Sequence, residues 1–268
     1  MNTTRSASDA WDDGARYEPF MGRWSAGVAE RFVAWLALPA AGAWLDVGCG
    51  TGALTAAILA RGDPRLIVGC DRSAGYVAFA ARRVADGRAR FAVAEIADLP
   101  RTEGGFDAVV SGLVLNFLPD PVAALQAMAG RARPGGTVAV YVWDYAGQMQ
   151  MLRRFWDAAV ALDRSAAELD EGRRFPQCDP STLKGVFAAA GLDQVRLDAI
   201  DAPTVFRSFD DYWQPFLGGQ GPAPGYARGL SPERLAELRE AVRTVLPVAA
   251  DGSIPLAARA WAARGAAR

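Results

Sequence analysis

The 268-residue chain contains no histidine. That absence excludes a Ser-His-Asp triad, an imidazole general base and a histidine-ligated metal site. Lysine is reduced to Lys184 alone, and arginine supplies every other basic side chain. With abundant Ala, Gly and Pro this reads as a coding bias. The formal net charge of −1 provides no field for nucleic acid or an anionic membrane. Cysteine is limited to Cys49, Cys70 and Cys178, an odd count without a CxxC. Neither a disulfide framework nor a thiolate metal site is indicated, and the expected compartment is a reducing cytoplasm. No apolar run is long enough to span a bilayer, and the first residues, "MNTTRSASDAWDDGARYEPF", lack the apolar centre of a signal peptide.

What is present is a foldable composition, 51% hydrophobic and 22% charged. Residues 25–38 place Val28, Phe32, Trp35 and Leu36 at helical spacing. Strands are expected at 43–47, 66–70, 90–94, 106–111 and 137–143, with helices at 52–61, 73–84 and after Asp120-Pro121. On the 73–84 helix the apolar face is Val77, Ala80, Ala81 and Val84, and the helix after Asp120-Pro121 ends before "RPGG" at 133–136. Near-continuous apolar strands alternating with helices predict a parallel sheet covered on both faces. Further on, helices are expected at 149–162, from Asp179-Pro180 to Gly191, and after Ser231-Pro232, with strands at 194–200 and within 251–265. The last of these helices carries Leu235, Leu238, Val242 and Val245. The Gly- and Pro-rich stretch 210–226, "DDYWQPFLGGQGPAPGY", reads as an aromatic loop able to move.

The stretch "AWLDVGCGTGALTAAIL", 43–59, carries Gly48, Gly50 and Gly52 between a strand and a helix. Such a turn admits close approach of a ligand to the backbone. Gly48-x-Gly50-x-x-Ala53 also satisfies the dinucleotide pattern, with Asp71 placed to meet a ribose. No Gly-Lys-Ser/Thr follows, so a phosphate loop is excluded. Three features favour another adenosine ligand. Asp46 precedes the glycines, where a carboxylate faces a cation and repels a pyrophosphate. Glu95 stands just past the third strand, placed to accept from an adenine amino group. "FDAVVSGLVLNFLPD" (106–120) and "RPGG" follow in order.

Together these motifs resemble the class I S-adenosylmethionine-dependent methyltransferases, especially the small-molecule branch with the ubiquinone and menaquinone enzymes. The resemblance covers about residues 15–145, and the closing strand pair near 194–264 fits the family architecture. It implies a doubly wound, mostly parallel seven-stranded α/β sheet, Rossmann-like, with an antiparallel last strand and a helical, aromatic cap. The implied segments are an N-terminal lid (1–40), a cofactor-binding core (41–145), a cap insert (146–180), a core helix and strand (181–202), a second cap insert (203–250) and a closing strand (251–268). The implied cofactor is S-adenosylmethionine, with S-adenosylhomocysteine as product and no metal. By the same resemblance the loop Asp46, Gly48, Cys49, Gly50 and Gly52 wraps its methionine and ribose part, and Asp71 holds the ribose hydroxyls. Glu95 and the Ile96 N–H meet the adenine, and Asn116 lines the methyl-transfer site. Arg72 and Ser111 complete the cofactor set, and Tyr17, in "YEPFMGRW", belongs to a segment resembling the lid over the cofactor.

Methyl transfer from a sulfonium needs alignment more than acid–base help, and a base only where the acceptor must lose a proton. Without histidine, Asp144 is the leading candidate base: it follows the fifth strand, at the ligand edge of an open sheet. Its alternative role is a turn aspartate. Tyr17 is the other catalytic candidate. Asp107, at the opposite edge, reads as a structural hydrogen-bonding group, and Cys49 and Cys70 as small buried residues. Trp143, Tyr145, Trp213 and Gln220 are the candidate acceptor pocket, although most cap aromatics read as the cap's own core. The expected reaction is O- or N-methylation of a small metabolite, without a nucleic-acid or membrane partner. A non-catalytic cofactor-binding module and a nicotinamide-dependent oxidoreductase are the alternatives. The sequence carries no signal for acceptor identity or oligomeric state.

Overall fold

The computed structural model describes residues 22–218 and 221–268, so Tyr17 and Gln220 lie outside the described residues. Helix α1 (Arg23–Leu36) leads into β1 (Ala43–Val47), α2 (Ala53–Arg61), β2 (Leu66–Asp71), α3 (Ala74–Arg83) and β3 (Ala89–Val93). Then come β4 (Phe106–Gly112), α4 (Pro121–Ala129) and β5 (Ala132–Trp143). The rest of the chain forms α5 (Gln150–Leu162), α6 (Glu171–Arg174), α7 (Pro180–Ala189) and β6 (Asp193–Phe206). It ends with α8 (Phe209–Gly218), α9 (Pro222–Gly229), α10 (Pro232–Val245) and β7 (Ile254–Ala266).

The strands form one seven-stranded sheet in the order β3-β2-β1-β4-β5-β7-β6. The pairs among β3, β2, β1, β4 and β5 are parallel, and β7 runs antiparallel to β5. This is the expected seven-stranded α/β architecture. The strand order reverses at β1 and β4, the switch point at which open α/β sheets bind ligands beyond their carboxyl ends.

Two compact units divide the chain. One gathers 25–143, 177–200 and 260–268; the other includes Trp24, 144–176 and 201–259. The boundaries fall inside β6 and β7, and most of α1, assigned from sequence to a lid, belongs with the first unit. There Phe32 packs on Tyr141 with ring centroids 4.7 Å apart, and Arg264 Nη1 donates to the Leu36 carbonyl at 2.7 Å. Asp107 accepts from the Ala43 N–H (2.8 Å) and Arg133 Nε (2.7 Å), the structural role expected for it. All three cysteines are buried, and none is in a disulfide.

The second unit is built on its own aromatic core. Phe155 stacks on Phe216 at 4.5 Å, Phe209 stacks on Trp213 at 6.1 Å, and Tyr212 Oη donates to the Met151 carbonyl at 2.8 Å.

The structure corrects several local expectations. Within the 210–226 stretch, the residues up to Gly218 and from Pro222 onward belong to the helices α8 and α9, not to a loop. Pro222 takes the first turn of α9, where its missing N–H costs nothing, and Gly221 (φ 107°) makes the bend before it. "RPGG" lies within β5, where a register irregularity against β4 absorbs it. The buried face of α3 is Tyr76, Ala80 and Val84, while Ala81 is exposed. On α10, Leu238 and Val242 are buried and Val245 is exposed. Strand β6 runs six residues past Ile200 to Phe206.

Candidate active site

Strand β1 delivers Asp46 fully buried. Its Oδ2 accepts from Thr55 Oγ1 at 2.7 Å, from the first turn of α2, while Oδ1 is buried without a partner. Burial is the main reason its carboxyl is pushed up to about 7; the nearby Asp71 charge adds to it and the Thr55 hydroxyl opposes it. Beyond Asp46 the chain turns through Gly48 (φ 72°), Gly50 (φ 51°) and Gly52 (φ 84°), a left-handed series that favours glycine. The Gly48 and Cys49 N–H groups both donate to the Cys70 carbonyl (2.8 and 2.9 Å), fixing the loop to the end of β2.

The three glycines answer different needs. A Cβ on Gly48 would lie 2.6 Å from Val114 Cγ2, so this glycine lets the turn after β4 close on the loop. A Cβ on Gly52 would meet Val84 and Ala80 of the α3 region at 3.1 and 3.2 Å. A Cβ on Gly50 would meet nothing within 4 Å. Gly50 is therefore the position where the loop backbone is open to a ligand.

Asp71 ends β2 and braces the same loop. Its Oδ2 accepts from Gly50 N (3.1 Å) and its Oδ1 from Ser73 N (2.8 Å). Arg72 beside it is exposed. Register Asp71↔Val93 and the bond from Ala94 N to the Asp71 carbonyl (3.0 Å) carry the sheet edge across to Glu95. Glu95 is exposed, Ile96 is half-buried, and the Glu95 carboxylate makes no bond to the helical turn it precedes. Cys49 and Cys70 are buried, and burial pushes both thiols well above the ordinary range. They serve the loop as packing groups.

From β4, Ser111 Oγ donates to the Val47 carbonyl at 2.7 Å, tying β4 to the last residue of β1. Leu113 takes a left-handed φ of 62°, which sharply bends the chain ahead of Val114 and Asn116. Asn116 is 3% exposed, and neither its Oδ1 nor its Nδ2 has a hydrogen-bond partner. Asp46 Oδ1 and the Asn116 amide thus leave unmet polar capacity at the ends of neighbouring strands. Buried polar groups are nearly always paired, so unpaired ones beside an open glycine turn are what a bound polar ligand satisfies. Asp46 suits a cationic or hydrogen-bond-donating group.

The other predicted residues are placed as follows. Trp143 ends β5, 1% exposed. In the second unit, Asp144 Oδ2 accepts from Gln148 N at 2.8 Å, which makes it a turn-organising aspartate. Tyr145 packs on Phe175 at 5.7 Å, and Trp213 lies 2% exposed in the aromatic core. Sequence reasoning missed Thr55, Val114 and Gln177, whose Nε2 donates to the Asn116 carbonyl at 2.8 Å. The nine-residue spacing from Asp46 to Thr55, strand end to first helical turn, is a signal that pointed to Thr55. No motif marks the other two. Among the described residues no cluster of three metal-ligating side chains occurs, and no helix is long and apolar enough to cross a membrane.

Residues 45–140, spanning this glycine turn and the β4 edge, match the "Methyltransferase domain" family. This segment resembles a methyltransferase domain. The chain is 42% identical over 96 residues to an uncharacterized methyltransferase of Mycobacterium tuberculosis, covering 36% of this chain and 48% of that protein. It is 35% identical over 107 residues to a demethylmenaquinone methyltransferase of Roseiflexus sp., covering 40% and 45%. The chain thus spans about half the length of these curated relatives. The fold is shared with the Haemonchus contortus phosphoethanolamine N-methyltransferase 2 solved with S-adenosyl-L-methionine, at TM-score 0.54 and 15% identity, covering 89% of this chain and 52% of that one. The match to the methyltransferase domain coincides with the segment that builds the glycine turn, while the aromatic unit lies outside it.

Proposed function

We propose that the protein transfers a methyl group from S-adenosylmethionine to an oxygen or nitrogen nucleophile of a small metabolite. The observation that carries this reading is the buried, partnerless Asp46 Oδ1 behind a glycine loop that is open at Gly50. Bound there, S-adenosylmethionine would supply a methyl group on a positively charged sulfur, an already activated leaving group. Asp46 presents negative potential toward the cationic part of the ligand. Asp71 holds the ribose hydroxyls while bracing Gly50, and Glu95 with the Ile96 N–H receives the adenine. Ser111 and Cys49 shape the loop, Arg72 flanks it, and Tyr17 contributes to a lid.

What the chain supplies to catalysis is alignment and exclusion of water. Where the acceptor must lose a proton, Asp144 is the proposed base. Trp143, Tyr145, Trp213 and Gln220 are the proposed acceptor walls, and the proposed location is the cytoplasm.

Calorimetry with S-adenosylmethionine, S-adenosylhomocysteine and NAD tests the cofactor directly. The expected result is binding of the first two and none of NAD, with Asp71→Ala weakening both by roughly 10-fold. Binding of NAD without S-adenosylhomocysteine would overturn the reading. S-adenosylhomocysteine release across phenols, amines and acids then separates an enzyme from a non-catalytic binding module.

A further inference from the structure

Asn116 is the described side chain whose amide is buried at both ends without a partner, and Oδ1 and Nδ2 are in the same position whichever way the amide is turned. Its surroundings hold it firmly. It sits in a helical turn, Leu115–Phe117, closed by bonds from Phe117 N to Val114 O (2.8 Å) and Leu118 N to Leu115 O (3.2 Å). On one side Val114 fills the space that Gly48 leaves for it. On the other, Gln177 Nε2 donates to the Asn116 backbone carbonyl at 2.8 Å. Gln177 is 61 residues away in sequence and half-buried, in the short turn Pro176–Cys178. A side-chain amide reaching that far to one main-chain oxygen fixes the height and tilt of the turn.

The unmet capacity is specific in kind. A primary amide presents one acceptor and two donors in one plane and no charge. A carboxylate offers only acceptors and leaves Oδ1 unpaired. A lone hydroxyl meets one end of the amide at a time. A hydroxyl flanked by a second oxygen meets both: its O–H donates to Oδ1 while the neighbouring oxygen accepts from Nδ2, and the hydroxyl keeps a lone pair for the methyl carbon. As the O–CH3 bond forms, the S–CH3 bond breaks to leave S-adenosylhomocysteine, and the hydroxyl proton, which an amide oxygen does not take up, leaves to the base proposed above.

We propose that Gln177 is a positioning residue that holds the Asn116 amide to recognise an acceptor hydroxyl flanked by a second oxygen, as in a catechol or a 2-hydroxyphenyl ketone. This rests on the methyltransferase reading above and names the acceptor class for the same site.

The test compares catechol and 2-hydroxyacetophenone with phenol, aniline and benzoate as methyl acceptors, alongside S-adenosylhomocysteine affinity. The wild type is expected to favour the first two by roughly 10-fold or more in kcat/KM. Asn116→Ala should lower kcat/KM for them by roughly 10- to 100-fold and abolish the preference over phenol. Gln177→Glu keeps the shape of the side chain but removes the donor. It should reduce the preference several-fold, mainly through KM, with S-adenosylhomocysteine affinity within 2-fold of wild type, a selectivity that general loss of structure cannot produce. An unchanged preference in Gln177→Glu overturns the proposal, as does equal methylation of phenol, aniline or benzoate by the wild type. Failure to methylate any of the five while S-adenosylhomocysteine binds also overturns it. Failure of the wild type to bind S-adenosylhomocysteine instead removes the methyltransferase reading.

Discussion

Replacing Asp46 by Asn probes the electrostatics of the glycine loop without altering its shape. The Asp46 carboxyl titrates near 7 in the folded protein against 3.8 ordinarily, chiefly because it is buried. Between those values the folded state holds a proton that the unfolded state has released, so stability falls as pH rises through the window and levels off above 7. About three pH units at 1.36 kcal/mol each give about 4 kcal/mol in all, of which about 3 kcal/mol falls between pH 5 and pH 8. Asn removes that slope. Its amide oxygen can still accept from Thr55, and the cost of burying an unpaired NH2 is the same at every pH. The stability of Asp46→Asn relative to wild type should therefore rise by about 3 kcal/mol from pH 5 to pH 8, or roughly 6–12 °C in Tm. Thermal unfolding of the two ligand-free proteins at both pH values measures it. A difference that stays constant across pH would falsify the assignment of Asp46 as a buried, proton-holding carboxyl. In the same variant, loss of S-adenosylhomocysteine affinity is expected at pH 8, where the wild-type Asp46 carboxyl is ionised and faces the ligand with a negative charge that Asn lacks.

Three further substitutions test other parts of the molecule. Glu171, buried and accepting a hydrogen bond from Trp156 Nε1, is pushed up to about 7 from 4.5, mainly by burial. Its contribution is also lost as pH rises from 4.5 to 7, and Glu171→Gln should recover about 3 kcal/mol at pH 8 relative to pH 4, read by denaturant unfolding. Gly48→Ala combines a left-handed φ with a 2.6 Å approach to Val114 and should cost about 2–4 kcal/mol in Tm-derived stability. Adding Val114→Ala should relieve the steric part alone, and full recovery would show that φ at 48 is unstrained. Asp144→Asn retains an acceptor for Gln148 N, so the turn should persist while turnover of proton-losing acceptors falls roughly 100-fold or more. Full turnover across pH would remove Asp144 as the base.

The centre of the sheet was legible because β1, β4 and the second half of β5 are buried on both faces and read as nearly unbroken apolar runs between turn residues. Helix starts were equally plain where a side chain caps them: Asp120 accepts from Ala123 N, Asp179 from Ser181 N and Thr182 N, and Ser231 from Arg234 N. The far end of β6 is concealed in the sequence although Ile200, Ala202, Thr204 and Phe206 alternate inward, because Pro203 reads as a stop. Helices α8 and α9 were missed because Gly and Pro dominate local propensity there. Tertiary burial of Tyr212, Trp213 and Phe216 overrides it, and Pro215 is accommodated within α8. In the site, spacing singles out Asp46, the glycines and Asp71, while the family resemblance alone singles out Asn116. Gln177 joins Asn116 across 61 residues through a contact no local pattern encodes.

The open face at Gly50 gives the protein a place where folding and ligand access can be altered separately. Its φ of 51° lies where Asn is the best tolerated non-glycine residue, and a Cβ there would meet no protein atom within 4 Å. Installing Asn at position 50 should yield a molecule with its sheet intact and its cofactor entrance obstructed. Such a variant would be a conformationally matched control against which every activity of the native chain can be scored.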